Sequence, residues 1–288
     1  MTIGDLLKKG ADILGGYENS SLNCEVLLAY VLGVGKEYLF AHSEEKVDGE
    51  LVKLFYNYLR RVKEGEPVAY ITGEKEFYGL KFYVDKRVLV PRPETEQLVD
   101  KVLDFLNDNV NKCRKFRILD VGTGSGNIAV SVVKKFNDSD CYIKDVDAID
   151  KNYQALEVAE INVGQHGFDD RIHVYQSDLL EYLEKNEKYD VIVANLPYIG
   201  REKNRYISAD TEKHEPNDAL FGGKNGLELY KKMFQQVIEK NVNYDVIIGE
   251  FGFAQCKDME LILNKYFAHN WSIEKDLAGI DRIFTITR

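Results

Sequence analysis

The run Phe116-Arg117-Ile118-Leu119-Asp120-Val121-Gly122-Thr123-Gly124-Ser125-Gly126 passes from an apolar strand straight into a glycine-rich turn, and Ile128–Phe136 then reads as a helix. Glycines at a strand-to-helix junction let the backbone approach a ligand closely, where the free N–H groups of the helix start point outward. The dinucleotide fingerprint has the spacing Gly-x-Gly-x-x-Gly. Here residue 127 is Asn, so the pattern is Gly-x-Gly-x-Gly. A purely structural glycine turn is the competing reading; the position, at the first strand-to-helix junction of an α/β segment, favours binding.

Downstream, strand-like runs recur at Tyr142–Ile149, Ile172–Gln176, Tyr189–Asn195 and Tyr244–Gly249, with helical stretches at Tyr153–Val163 and Leu227–Glu239 between them. That alternation predicts an α/β fold, a doubly wound and mostly parallel sheet covered by helices on both faces. The tail breaks the rhythm. Leu261–Phe267 reads as a helix, then Trp271–Lys275 and Arg282–Thr287 as an antiparallel hairpin, giving seven strands in the sheet.

Upstream, residues 1–75 show helical apolar stripes without strands: Ile3, Leu6, Leu7, Ile13 and Leu14; Leu22, Val26, Leu27 and Val31; Leu51, Leu54, Phe55, Tyr58 and Leu59. A small helical bundle is expected. Residues 76–92, aromatic-rich around Gly79, predict a β-hairpin linker, and Pro91-Arg92-Pro93 forces an extended path into the domain spanning 93–288.

Three further motifs fall at strand ends. Asp150 closes the second strand, where a carboxylate can accept from two ribose hydroxyls or cap the helix beginning at Lys151. Ser177-Asp178-Leu179 follows the third: Asp178 could accept from an adenine amino group with Leu179 against the ring, or cap a helix over Leu179–Leu183. Asn195-Leu196-Pro197-Tyr198 follows the fourth. An Asn oxygen and the next backbone carbonyl can accept both hydrogens of a planar NH2 group, and the Tyr ring can pack on its face. An ordinary strand-to-loop turn is the competing reading for such a short string. In a doubly wound sheet the first and fourth strands flank the crevice where strand order reverses, so the glycine loop and Asn195 are expected to share one pocket.

Composition narrows the function. A net charge of −10 argues against a protein that grips nucleic acid through many phosphates. Cys24, Cys113, Cys141 and Cys256 form no Cys-x-x-Cys pair and read as free buried thiols; with the scattered histidines they predict no metal site. Met1–Leu14 is amphipathic and charged, unlike a signal peptide, and no run approaches a membrane span, so a cytoplasmic protein without membrane contact is expected.

The loop Asp120–Gly126 resembles the nucleoside-methionine loop of S-adenosylmethionine-dependent methyltransferases. Nearly end to end, the chain resembles the release-factor glutamine methyltransferases. Pro67–Glu74 and Glu76–Leu80 match that family's linker, Val90-Pro91-Arg92-Pro93-Glu94-Thr95-Glu96 its hallmark, Glu215-Pro216 and Ala219–Gly223 the segment after its substrate loop, and Asp276–Arg282 its C-terminal signature. The resemblance implies a class I methyltransferase domain behind a helical domain that docks the release factor. It implies methylation of the Gln amide in the Gly-Gly-Gln motif of bacterial peptide chain release factors, by a chain expected to be monomeric. Gly122, Thr123, Gly124, Ser125 and Gly126, with Asp120, Asp150, Asp178 and Leu179, would bind S-adenosylmethionine. Asn195, Leu196, Pro197 and Tyr198 would hold the Gln, and Arg92, Pro93 and Glu94 would line the entrance. Two positions depart from the family: Leu196 stands where Pro is usual, as in rRNA adenine dimethyltransferases, and Asn217 where Arg commonly follows Glu-Pro. Ribosomal-protein glutamine methyltransferases, nucleic-acid adenine methyltransferases and a non-catalytic cofactor-binding protein are the alternatives.

Overall fold

The computed structural model describes residues 1–17, 19–110, 115–136, 142–203 and 205–288. Cys113 and Cys141 lie outside the described residues. The chain forms two compact units, Met1–Glu74 with Ser208–His214, and Lys75–Ile207 with Glu215–Arg288.

In the first unit, α1 (Ile3–Ile13), α2 (Ser20–Leu32), α3 (Lys36–Ala41), α4 (Gly49–Lys63) and α5 (Val68–Thr72) surround a core of Leu6, Leu27, Phe55 and Leu59. A capping box starts α1: Thr2 Oγ1 accepts from the Asp5 N–H, and Asp5 accepts from the Thr2 N–H. The stripe expected on α2 holds in part. Leu27 is buried and Val31 packs against the core, but Leu22 is exposed, and Cys24 and Leu28 join the core. That helix is apolar on nearly every side, so spacing alone could not choose its inner face. Segment 208–214, expected within the methyltransferase domain, packs with this unit; Lys213 Nζ and His214 Nε2 both reach the Glu64 carbonyl.

The hairpin pairs β1 (Glu74–Phe77) with β2 (Leu80–Tyr83), starting two residues before the expected limit. Its two-residue turn, Tyr78-Gly79, has positive φ at both positions (53° and 69°), the twist-matched connection for a tight hairpin. A 3₁₀ turn at Pro93–Thr95 then leads into α6 (Glu96–Asp108).

The sheet contains β3 (Lys115–Val121), β4 (Tyr142–Asp150), β5 (Ile172–Gln176), β6 (Lys188–Ala194), β7 (Asn243–Glu250), β8 (Trp271–Lys275) and β9 (Asp281–Thr287), in the order β5-β4-β3-β6-β7-β9-β8. β3 to β7 run parallel, and β9 and β8 are antiparallel. Helices α7 (Asn127–Lys135) and α8 (Tyr153–His166) lie between the early strands in sequence; α9 (Ala209–His214), α10 (Asn217–Leu220), α11 (Glu228–Glu239) and α12 (Cys256–Phe267) follow.

Alternation along the strands builds two cores. Ile118, Val191 and Val246 pack on one face with Leu98, Val102 and Val130. Their neighbours Leu119, Ile192 and Ile247 pack on the other with Tyr230, Phe234 and Phe284. Central strands buried on both faces are what an unbroken apolar run requires. Strand order reverses between β3 and β6, as a doubly wound sheet demands. The helix over Leu179–Leu183, one of the two readings of Asp178, does not form; residues 179–182 are turns. Ser177 Oγ donates to the Leu179 carbonyl and accepts from the Tyr182 N–H, a local pattern that competes with helix formation. No helix among the described residues is long and apolar enough to cross a membrane.

Candidate active site

Register places the strand-end residues side by side. Val121 pairs with Ile149 on β4 and with Ala194 on β6, and Ala194 pairs with Gly249 on β7. One residue further on, Asp150, Gly122, Asn195 and Glu250 therefore stand in a row along the carboxyl edge. A cavity of about 550 Å³ opens above this row.

The glycine loop forms its floor. Gly122, Gly124 and Gly126 all have positive φ, so the loop needs glycine at each. Gly122 through Ser125 line the cavity, whereas Gly126 is the left-handed cap of α7. Asp150 also lines it. Its Oδ2 accepts from the Gly124 N–H (3.0 Å) and its Oδ1 from the Asn152 N–H (2.8 Å). It is not the cap of α8; Asn152 is, accepting from the Gln154 N–H. Each Asp150 oxygen keeps further acceptor capacity for a diol. Burial pushes this carboxyl up, against the pull of the Asn152 and Gly124 N–H groups.

Asp120 is placed differently from expectation. It is fully buried beneath the loop, outside the cavity wall, and accepts from the Thr123 hydroxyl (2.8 Å) while its Oδ1 has no partner. It shapes the loop from below. Burial pushes its carboxyl up to about 7, against the Thr123 hydroxyl and the Ala129 backbone N–H. A raised value in the folded state means the folded chain holds the proton more tightly. This group's contribution to stability is complete below the ordinary carboxylate range and is lost as pH rises through about 7. Asp120→Asn should therefore flatten the decline in unfolding free energy between about pH 4 and 7, measured by urea titration without cofactor. Parallel pH profiles for the two proteins would contradict this assignment.

Leu179 and Asp178 line the opposite wall. Asp178 caps no helix; its carboxylate pairs with Lys232 (2.8 Å) and Lys151 (3.7 Å), and the Lys232 hydrogen bond holds its pKa below the usual carboxylate range.

The tetrapeptide closes the cavity at β6. Asn195 Nδ2 donates to Thr95 Oγ1 (2.9 Å) and Glu250 Oε2 (3.2 Å). No donor among the described residues reaches its Oδ1 or the Leu196 carbonyl, so two acceptors remain free on cavity-lining residues. Leu196 is buried, its N–H on the Tyr230 hydroxyl (3.3 Å) and its side chain against Gly122. Tyr198 stands outside the wall with its hydroxyl on Glu250 (3.1 Å) and its ring over Gly252; burial pushes its pKa well up. Gln255 Nε2 holds the Tyr198 carbonyl (2.7 Å).

Arg92 joins the wall, its guanidinium 2.5 Å from Glu215, and Glu215 also accepts from the Val90 N–H (3.1 Å). Pro93 and Glu94 are exposed and outside the wall. Glu215, Glu250 and Gln255 are site residues that the motif reading did not assign; Thr95, from the segment expected at the entrance, lines the cavity and holds Asn195. Asn217 is the exposed first residue of α10, away from these contacts.

The loop after the tetrapeptide fits against it without slack. A Cβ on Gly222 would lie 2.1 Å from the Pro197 carbonyl oxygen and 2.2 Å from that of Gly226. Both are backbone atoms and cannot turn aside. Gly222→Ala should lower the unfolding free energy by about 3 kcal/mol, read by denaturant titration. A loss within experimental error would mean that this loop is not anchored on Pro197.

Comparison with known proteins gives the family. Residues 5–73 match the family description "PrmC N-terminal domain", and residues 95–212 match "Methyltransferase small domain". A release factor glutamine methyltransferase of Clostridium acetobutylicum is 32% identical over 296 residues, covering 100% of this chain and 99% of the relative. One from Bacillus subtilis is 35% identical over 286 residues, covering 98% and 96%. The chain belongs to the release factor glutamine methyltransferase family. Among solved structures, the catalytic domain of human METTL16 bound to an RNA hairpin superposes with a TM-score of 0.57 at 16% identity, covering 76% of this chain and 80% of that one. At that identity the likeness speaks for the shared fold alone.

For a family member, the chemistry of the donor set is coherent. The left-handed glycine loop permits close backbone approach, and the Asp150 carboxylate and the apolar Leu179 suit the diol and ring of a nucleoside cofactor. Among the described residues, no group of three or more His, Cys, Asp or Glu is arranged to hold a metal ion. Cys24 is free and buried; Cys256 is free and only partly buried, at the start of α12, unlike the buried thiol expected.

Proposed function

We propose that this chain methylates the side-chain amide nitrogen of the Gln in the Gly-Gly-Gln motif of bacterial peptide chain release factors, with S-adenosylmethionine as donor. The observation carrying this reading is the pair of free acceptors, Asn195 Oδ1 and the Leu196 carbonyl, beside a cavity floored by the glycine loop and Asp150. Two acceptors match the two N–H hydrogens of a primary amide.

Gly122–Ser125 and Asp150 would hold the cofactor, with Leu179 against its adenine ring. Bound there, S-adenosylmethionine supplies an electrophilic methyl group on a sulfonium. The protein's part is orientation. Asn195 Oδ1 and the Leu196 carbonyl accept from the amide NH2, aim its nitrogen, and stabilise the positive charge that grows on its hydrogens as nitrogen gains a fourth bond. A strong general base is unnecessary, because the proton becomes acidic only after the transfer. Leu196 in place of the family's Pro leaves this intact, since only its carbonyl is used. Arg92, steadied by Glu215, would border the entrance.

Incubating intact release factor and rRNA together with labelled S-adenosylmethionine, followed by mass mapping, tests the reading. The label should appear on the Gly-Gly-Gln glutamine. Label confined to adenine, or to another protein residue, would overturn it.

The helical unit is proposed as the release-factor docking surface. Removal of residues 1–75 should then depress methylation of intact release factor while sparing a short Gly-Gly-Gln peptide. Equal activity on the intact factor would refute docking.

A further inference from the structure

Glu250 ends β7 beside Asn195 and is buried, only 1% exposed. Its carboxylate receives three side-chain hydrogen bonds. Thr95 Oγ1 (2.7 Å) and Asn195 Nδ2 (3.2 Å) donate to Oε2, and the Tyr198 hydroxyl (3.1 Å) donates to Oε1. Its backbone carbonyl accepts from the buried Tyr230 hydroxyl, which fixes the strand end. Burial pushes this carboxyl up, against the Thr95 hydroxyl and the nearby Arg282 guanidinium, which donates its own Nε hydrogen to Asp276 (3.0 Å).

Holding a carboxylate out of water is costly, and a neutral glutamine of the same shape would not carry that desolvation cost. What a carboxylate alone does is accept at every position and donate at none. That property sets the direction of the whole network. Thr95 has one hydroxyl hydrogen and spends it on Glu250, so its oxygen can only accept, and the group beside it is Asn195. Facing two acceptors, the Asn195 amide must turn Nδ2 toward Thr95 and Glu250.

We infer that Glu250 is a positioning residue, an acceptor-only anchor that, through Thr95, locks the Asn195 amide with Oδ1 free to accept from the substrate NH2. The inference rests on the proposed amide substrate. With the amide reversed, Nδ2 would meet the substrate's own N–H groups, donor against donor. The same anchor takes the Tyr198 hydroxyl hydrogen and so fixes the aromatic end of the tetrapeptide.

Glu250→Gln keeps the shape and adds two donors; Glu250→Asp keeps the acceptor-only character with a shorter reach. Glu250→Gln should lower kcat by about tenfold or more, with cofactor KM within about threefold and an unchanged or higher unfolding midpoint. Glu250→Asp should retain more turnover than Glu250→Gln, although it leaves the larger gap. Thr95→Val, which breaks the relay and leaves the acid in place with one donor fewer, should lower kcat in the same direction. Wild-type turnover in Glu250→Gln, or kcat and midpoint falling together in both Glu250 variants, would overturn the inference.

A second readout needs no activity. In the cofactor-free protein the two Asn195 Nδ2 hydrogens, followed by NMR, should exchange slowly in the wild type and faster in Glu250→Gln and Thr95→Val. Unchanged exchange would overturn the inference. If the wild type methylates no release factor, the functional reading fails, while this readout still decides the role of Glu250.

Discussion

Asn195→Ala should reduce turnover by about 10²–10³, the range for removing one preorganised hydrogen-bonding group aimed at developing charge. The affinity for S-adenosylmethionine should change by no more than about threefold, because an acceptor used in the transition state adds little to ground-state binding. The side chain is not replaceable by a neighbour. Thr95 and Glu250, which hold its Nδ2, are themselves committed to each other. Single-turnover kinetics with labelled cofactor, beside calorimetric titration of cofactor binding, separates the two quantities. Near-normal turnover in the variant would remove Asn195 from the chemistry.

Asp150→Ala should act on the other half of the site. It removes a carboxylate able to accept two ribose hydroxyls, and also the acceptor that holds the Gly124 N–H at 3.0 Å. Hydrogen bonds to a charged group contribute about 1.5–3 kcal/mol each, so a loss near 3 kcal/mol, or about 10²-fold in cofactor affinity, is expected. Asp150→Asn should fall between, because its amide must turn an N–H toward either Gly124 or Asn152, both of which already donate. Calorimetry with S-adenosylhomocysteine reads the affinity without turnover. An affinity within about threefold of the wild type would show that Asp150 serves only the loop.

Much of this site was legible in the chain because its residues sit at strand ends. Apolar alternation located β3, β4 and β6, and at each strand end stands one site residue that the parallel register aligns: Gly122, Asp150 and Asn195. Where the reading failed, the missing information was tertiary. Thr95 and Glu250 are 155 residues apart, and nothing local marks either as the other's partner. Thr95 entered only as part of the Val90–Glu96 match, and Glu250 lies one residue past the strand-like run Tyr244–Gly249. Asp120 was read as a ligand group from its place before the glycines, yet its side chain turns inward onto Thr123. Asp150 and Asp178 were each open to reading as helix caps. The true cap lies two residues beyond Asp150, and the segment after Asp178 is held in turns by Ser177. Local propensity could not weigh either outcome, because the deciding hydrogen bonds depend on where neighbouring strands end.

The central claim is that Asn195 and Leu196 grip a primary amide beside the cofactor. A crystal structure of the protein with S-adenosylhomocysteine and a Gly-Gly-Gln peptide tests it most directly. The account predicts the Gln amide nitrogen within hydrogen-bonding distance of both Asn195 Oδ1 and the Leu196 carbonyl, with its face toward the cofactor sulfur. A Gln side chain bound elsewhere, or an amide whose oxygen rather than nitrogen faces Asn195 Oδ1, would contradict it.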